Sequence, residues 1–455
     1  MNNLGYEGSL VDVGTLSRAL QAASVGESAA IETARLFKRA AGAFESDNET
    51  HALFVPGRVE VLGKHTDYAG GRSMTIASEQ GFAFVVRPRV DRQIIVHAVD
   101  LGEKAEFAFD PELVPEVGHW ANYPMTVARR LARNFPGGLR GAEIAMSANL
   151  PSAAGMSTSS AVIVGMFLAL DAVNRVSDRP QYRQHINSDI DLAGYLGTVE
   201  NGQNFGSLLG DCGVGTFGGS EDHTAILCGQ AGQISQYSYC PVRFERAVPI
   251  PSTYVFAIAA SGVVAEKTGS ALAKYNAVSG RAAALVELWQ QETGRDDPHL
   301  AAIVDSSSDA AEQLRQLAQQ SNHQAFDADS LTRRLEQFLD ESNHIIPEAA
   351  DAITASDLEA FGSAVDRSQQ GAERGLENQV PETIFLAAAA RRLGATAASA
   401  FGAGFGGSVW ALVEQSRVDA FLAAWKIAYE EQFAEHADFA RFFRTTAGPA
   451  SFRLC

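Results

Sequence analysis

The segment from Ala142 to Val176 most constrains how this chain can fold. It reads as a strand, AEIAMSANLP, then a small-residue loop, LPSAAGMSTSSA at 150–161, then an apolar helix, SSAVIVGMFLALDAVNRV. Small residues at such a join let backbone N–H groups and the helix N-terminus face an anion, and phosphate is the natural guest. The loop is neither GxxxxGK[ST] nor GxGxxG, so Walker and Rossmann readings both fail. By itself it reads equally well as a tight turn with serine-rich capping.

The rest of the chain is mixed α and β. Helical spacing in LSRALQAASV and AAIETARLFKRAAGAF makes residues 1–48 an N-terminal helical extension. From His51 to about Val99 the pattern turns to β-rich segments, FVPGRVEVLG, MTIASEQGFAFVVRPR and QIIVHAV, split by the polar loop KHTDYAGGR. Helices are expected at NYPMTVARRLARNF and over about Ile190 to Asn201, followed by the glycine-rich stretch GSLLGDCGVGTFGGSEDHTAIL. A second unit begins near Pro249 with the strand TYVFAIAAS and runs through helices to about Leu393. It closes with a hairpin, TAASAFGAGFGGSVWALV, and a helix, VDAFLAAWKIAYEEQF. The polar stretch DSSSDAAEQLRQLAQQSNHQAFDADS reads as an exposed helical excursion or a mobile insert.

Composition narrows the function. A length of 455 residues allows about two to four domains. The net charge of −18 is repelled by phosphate backbones and anionic lipid, which argues against nucleic-acid or membrane partners. Cys212, Cys228, Cys240 and Cys455 show no CxxC spacing, so neither a zinc site nor a disulfide framework is suggested. MNNLGYEGSL lacks the pattern of a signal peptide, and the longest apolar run, Ala161 to Leu170, is too short to span a bilayer. A soluble cytoplasmic protein is expected.

Two further loops carry candidate chemistry. PGRVEVLGKHTDYAGG, from Pro56 to Gly71, gathers Arg58, Lys64, His65 and Asp67 beside apolar strands; alone, it also reads as a solvated turn with internal ion pairs. GAGFGG at 402–407 has more glycines than a hairpin needs, which suggests close backbone approach to something. In this order the three loops resemble the signature motifs of the GHMP small-molecule kinases, and the first resembles the galactokinase branch. That branch reads PGRVNLIGEHTDYNGG, matched here at Pro56, Gly57, Arg58, Val59, Gly63, His65, Thr66, Asp67, Tyr68, Gly70 and Gly71. The second motif, LPxGxGLSSSA, is met by LPSAAGMSTSS with Ala153 for its first glycine, and the third, GGGFGG, is met with Ala403. VVAEKTGSALAKYNAV brings Tyr275 and Asn276 into register with the family's Ser-x-Tyr-Asn.

The resemblance implies a two-lobed α/β fold. A ribosomal-protein-S5-like lobe would occupy 49–248, a ferredoxin-like lobe 249–455, and the active site the cleft between them. It implies ATP- and Mg2+-dependent phosphorylation of the anomeric hydroxyl of a hexose, galactose by default. The triphosphate would rest on Ser152, Ala153, Ala154, Gly155, Met156, Ser157, Thr158 and Ser159, with Gly404 and Gly406 of the third loop. Ser159 and Glu200 would hold the metal through oxygens suited to a hard ion. The family's catalytic acid lies in GIMDQ, about a dozen residues past the metal-binding glutamate. Here GGSEDHTAIL places Asp222 twenty-two residues past Glu200; Asp222, followed by a strand, is the expected base, with Asp211 as the alternative. Arg58 would lower the pKa of Asp222 and stabilise transferred charge. His65 and Asp67 would bind sugar hydroxyls and Tyr275 would close the pocket, while Glu221, His223, Cys212 and Cys228 are taken as structural. Lys64 replaces a glutamate that contacts the sugar near its sixth carbon, which raises a uronic acid such as galacturonate, or another altered hexose, as an alternative substrate. The substitutions also leave open a binding-only regulator.

Overall fold

The structure is a computed structural model and describes residues 2–23, 25–44, 50–151, 154–263 and 269–454. Thirteen strands are defined among them: β1 (Asn2–Leu4), β2 (His51–Leu62), β3 (Arg72–Pro88), β4 (Gln93–Ala98), β5 (Glu103–Ala108), β6 (Ala142–Ala148), β7 (Gln233–Ser238), β8 (Arg243–Pro249), β9 (Tyr254–Ala260), β10 (Ala397–Phe401), β11 (Ser408–Glu414), β12 (Arg441–Thr445) and β13 (Phe452–Leu454). They form two sheets, giving the two-lobed α/β architecture expected.

The first sheet runs β1-β13-β2-β3-β6-β4-β5, with β7 beside the start of β3 and β8 beyond β7. Its centre is the long antiparallel β2–β3 pair, whose apolar residues are buried on both faces. One face takes the helix Thr158–Asn174, apolar all round because the helices Asn122–Asn134 and Asp189–Asn201 cover its other sides. The opposite face is covered by the helices Val13–Ala22 and Glu27–Ala41, whose Leu16, Leu20 and Phe37 are buried against Phe54, Val85 and Ala145. The N-terminal segment is therefore packed onto the first lobe's sheet. β1 also pairs in parallel with β13, so the two ends of the chain meet there.

The second sheet, β10-β11-β9-β12, is wholly antiparallel. Trp425 and Tyr429 of the helix Val418–Gln432 cover one face; Phe361 and Val365 of the helix Leu358–Gly371 help cover the other. A further helical core gathers Leu285, Trp289, Leu314, Leu331 and Phe338. Two expectations are corrected. The polar stretch after Asp305 contains a packed helix, Ala310–Gln319, held by buried Ala310, Leu314 and Ala318. Asp222 lies in the first turn of a helix, Glu221–Cys228, in place of the strand expected after it, and the two first-turn carboxylates suit the positive end of the helix dipole. Among the described residues no helix is long and apolar enough to cross a membrane.

Phe37→Ala should cost roughly 3–5 kcal/mol, the range for emptying a packed aromatic site. Urea unfolding measures it, and a loss below about 1 kcal/mol would show that these helices are not part of the lobe's core.

Candidate active site

The site is built outward from β2. Period two along the strand puts Arg58 and Glu60 on one face, and the β2–β3 register shifts between Pro56 and Arg58. A Cβ on Gly57 would stand 2.8 Å from the Met156 carbonyl oxygen, and the Arg58 N–H donates to that same carbonyl at 3.3 Å. Glycine is needed there because strand and small-residue loop touch. The loop turns through left-handed Gly155 and Ser157 into the helix Thr158–Asn174, which carries no side-chain cap. The Ser157 hydroxyl is buried without a hydrogen-bond partner. First-turn N–H groups with no internal acceptor make an anion cradle. From behind, Ser408 Oγ donates to the Ala154 carbonyl at 2.6 Å, and a Cβ on Gly402 would stand 2.8 Å from the Gly155 carbonyl oxygen. The glycine-rich hairpin thus supports the cradle.

Arg58 joins the distant parts. Its Nε donates to Asp222 Oδ1 at 2.8 Å and its Nη1 to the Gly155 carbonyl at 2.5 Å. Ser160 Oγ stands 2.8 Å from Glu200 Oε2 and 3.2 Å from Asp222 Oδ2, between the two carboxylates, while Ser159 Oγ is 3.4 Å from Glu200 Oε1. His223 Nε2 is 3.2 Å from Glu200 Oε2. The surplus residues between Glu200 and Asp222 fold back on themselves. The Asp211 N–H donates to the Gly202 carbonyl at 3.0 Å and the Val214 N–H to the Glu200 carbonyl at 2.8 Å. Asp67 Oδ2 accepts the Glu221 N–H at 3.2 Å. His65 hydrogen-bonds the Tyr68 hydroxyl at 3.0 Å and the Ala403 carbonyl at 3.1 Å, with its ring 5.6 Å from that of Tyr275. These groups line one cavity of about 290 Å³ between the lobes. It offers an anion cradle, a carboxylate paired with a buried cation, and a polar pocket beside them.

Family models match this architecture in three places: the galactokinase galactose-binding signature over 38–88, the GHMP kinase N-terminal domain over 122–219 and the GHMP kinase C-terminal domain over 349–431. The chain belongs to the GHMP kinases, on their galactokinase-like branch. The galactokinase of Roseiflexus sp. (strain RS-1) is 28% identical over 378 residues, 83% of this chain and 86% of that protein. The galactokinase of Exiguobacterium sibiricum is 28% identical over 406 residues, 86% of this chain and 92% of that protein. In fold, the kinase is similar to Lactococcus lactis galactokinase complexed with galactose, with a TM-score of 0.73 at 22% identity over 95% of this chain and 99% of that one.

Of the residues singled out in the kinase's sequence, Arg58, His65, Asp67, Gly155, Met156, Ser157, Thr158, Ser159, Glu200, Asp222 and Tyr275 share the cavity. Ser152 and Ala153 lie outside the described residues. Ala154 is buried under the loop. Gly404 and Gly406 do not line the cavity, whereas Gly402 and Ala403 do. Gly404 packs on Asn378 instead. Asp211 is drawn away by Arg129 and Arg130, at 3.5 and 3.8 Å. Lys64 is also misplaced by the sequence reading. Gly63, at φ 111°, turns the chain, and the Lys64 ammonium donates to Ser399 Oγ at 2.8 Å and Ser368 Oγ at 3.1 Å, away from the cavity. A uronate carboxylate would find no Lys64 ammonium there. The sequence reading missed Glu60, Ser160, Glu221 and His223, all of which line the cavity. The two-residue period of β2 could have revealed Glu60, and the Ser-Ser repeat before the apolar helix could have revealed Ser160.

Burial dominates the kinase's electrostatics. It pushes Glu60 up to about 7 from an ordinary 4.5, against the pull of Arg58 and Lys64. It also raises Asp67, and it raises Glu221 well above the usual carboxylate range. Arg58 is held above its ordinary value by Asp222, Glu221 and Glu60, which outweigh the opposing effect of its own burial. Between pH 4.5 and 7 folded Glu60 keeps a proton that the unfolded chain releases, so its contribution to stability falls as pH rises. From pH 5 to 7.5 the ligand-free protein should therefore lose on the order of 2–3 kcal/mol more than Glu60→Gln in urea unfolding. Parallel pH profiles for the two proteins would contradict this.

Proposed function

We propose that this kinase transfers the γ-phosphoryl group of ATP to the anomeric hydroxyl of a galactose-type hexose. The observation that carries the reading is the Arg58–Asp222 pair, 2.8 Å apart at the meeting point of anion cradle and polar pocket. A protein that only bound sugar and nucleotide would not need a carboxylate there, so the pair favours transfer over a binding-only regulator.

The cradle from Gly155 to Ser159 would hold the triphosphate through backbone N–H groups and the helix dipole. Ser159 and Glu200 fit Mg2+, since they offer a hydroxyl and a carboxylate from two elements at the mouth of the cradle. Bound there with the nucleotide, the ion would neutralise charge on the β and γ phosphates. His223 and Ser160 orient the Glu200 carboxylate toward that role. His65, Asp67 and Tyr275 would fix the sugar. Asp222 accepts the proton of the anomeric hydroxyl as that oxygen bonds to the γ phosphorus and ADP leaves. Arg58 anchors Asp222 and faces the charge developing on the transferred group.

Asp222→Asn keeps the shape and removes the proton acceptor. It should lower kcat by about 10²–10⁴-fold, the range for general-base catalysis, while sugar affinity by calorimetry stays within about threefold. Wild-type turnover in this variant would overturn the assignment. Ser160→Ala removes the hydroxyl between Asp222 and Glu200. It should lower kcat several-fold and raise the magnesium concentration needed for half-maximal rate, both read in a coupled ADP-release assay.

A further inference from the structure

Glu60 and Glu221 are not needed by the mechanism above, yet both line its cavity and both are only 4% exposed. Each has a buried Oε1 with no hydrogen-bond partner. The nearby cation is already engaged. Arg58 gives Nε to Asp222 at 2.8 Å and Nη1 to the Gly155 carbonyl, and stands 3.6 Å from Glu221 Oε1. The Lys64 ammonium is turned toward Ser368 and Ser399. Among the described residues that line the polar pocket, Glu60, Asp67, Glu221 and Asp222 therefore face one guanidinium. In the motifs quoted above, positions 60 and 221 are the uncharged Asn and Met of PGRVNLIG and GIMDQ, so both acids depart from the pattern and meet in the same place. A buried carboxyl oxygen without a hydrogen-bond partner is costly, and a ligand ammonium, with three donors and a positive charge, satisfies two such oxygens at once as the carboxyls give up their protons to solvent.

We propose that the sugar pocket of this kinase prefers a hexose carrying a protonated primary amine over a neutral hexose, with Glu60 and Glu221 receiving the ammonium. The inference rests on the sugar-kinase reading and narrows its substrate class. Phosphoryl transfer to the anomeric oxygen is unchanged, since the amine is not the acceptor.

The test is calorimetric titration of the full chain at pH 7 with galactose, 2-amino-2-deoxygalactose, 6-amino-6-deoxygalactose and N-acetylgalactosamine, alongside an ADP-release assay on each. At least one amino sugar should bind tenfold or more tighter than galactose. Acetylation should abolish any preference for the 2-amino sugar, because it removes the charge. Glu60→Gln and Glu221→Gln should each shrink the amino-to-neutral affinity ratio to below about threefold, with folding checked by thermal melting. The wild-type ratio alone is decisive if a variant fails to fold. Galactose bound and turned over with neither amino sugar favoured would overturn this inference and leave the kinase reading intact. An equal loss of amino and neutral sugar binding in the folded variants would also overturn it, since that marks a structural role. No sugar bound and no ADP released would overturn both.

Discussion

A single buried guanidinium holds the site together. Arg58, 5% exposed on β2, binds a carbonyl of the small-residue loop and the carboxylate of Asp222, which lie about a hundred or more positions away along the chain. A buried charge without partners would be costly, so folding has to bring those partners to it. Gly57 makes the approach possible, because any side chain there would collide with Met156 and Leu150. Removing Asp222 would take from this buried cation the nearer of its two carboxyl partners, which is why the isosteric Asn is the informative replacement.

The second lobe holds the loop after β2 from the other side. Glu341 Oε1 accepts the Gly63 N–H at 2.8 Å, Arg334 donates to the His65 carbonyl at 2.6 Å, and Ser368 bridges Lys64 and Glu341 at 3.1 and 2.9 Å. The residues that orient His65 and Asp67 are thus fixed by helices more than 250 positions later in the chain. Lys64 belongs to this buried anchorage. The substitution at position 64 therefore speaks to how the lobes are joined, while Arg58, Glu60, Asp67, Glu221 and Asp222 line the pocket itself.

Much of this was legible in the sequence where local physics decides. β2, β3 and the apolar helix at 158–174 follow from apolar runs, and the tight turn between β6 and that helix follows from the small residues there. The cluster of Arg58, His65 and Asp67 was visible because strand and tight loop keep those residues close. Long-range contacts were not legible. Nothing in residues 1–44 signals that Leu16 and Phe37 cover the first sheet, nor that β1 meets β13. The direction of Lys64 depends on the backbone at Gly63 and on acceptors on distant helices. The displaced Asp222 looked anomalous in linear spacing because the glycine-rich segment folds back through hydrogen bonds to Gly202 and Glu200, returning Asp222 to Ser160.

The most direct test of phosphoryl transfer at this site is phosphorus NMR of the product formed by the wild-type protein from ATP, magnesium and galactose. A sugar phosphate resonance coupled to the anomeric proton, formed with one ADP per sugar, is the expected result. A phosphate on any other carbon, or ADP released without a phosphorylated sugar, would contradict the placement of the anomeric hydroxyl between Asp222 and the phosphate cradle.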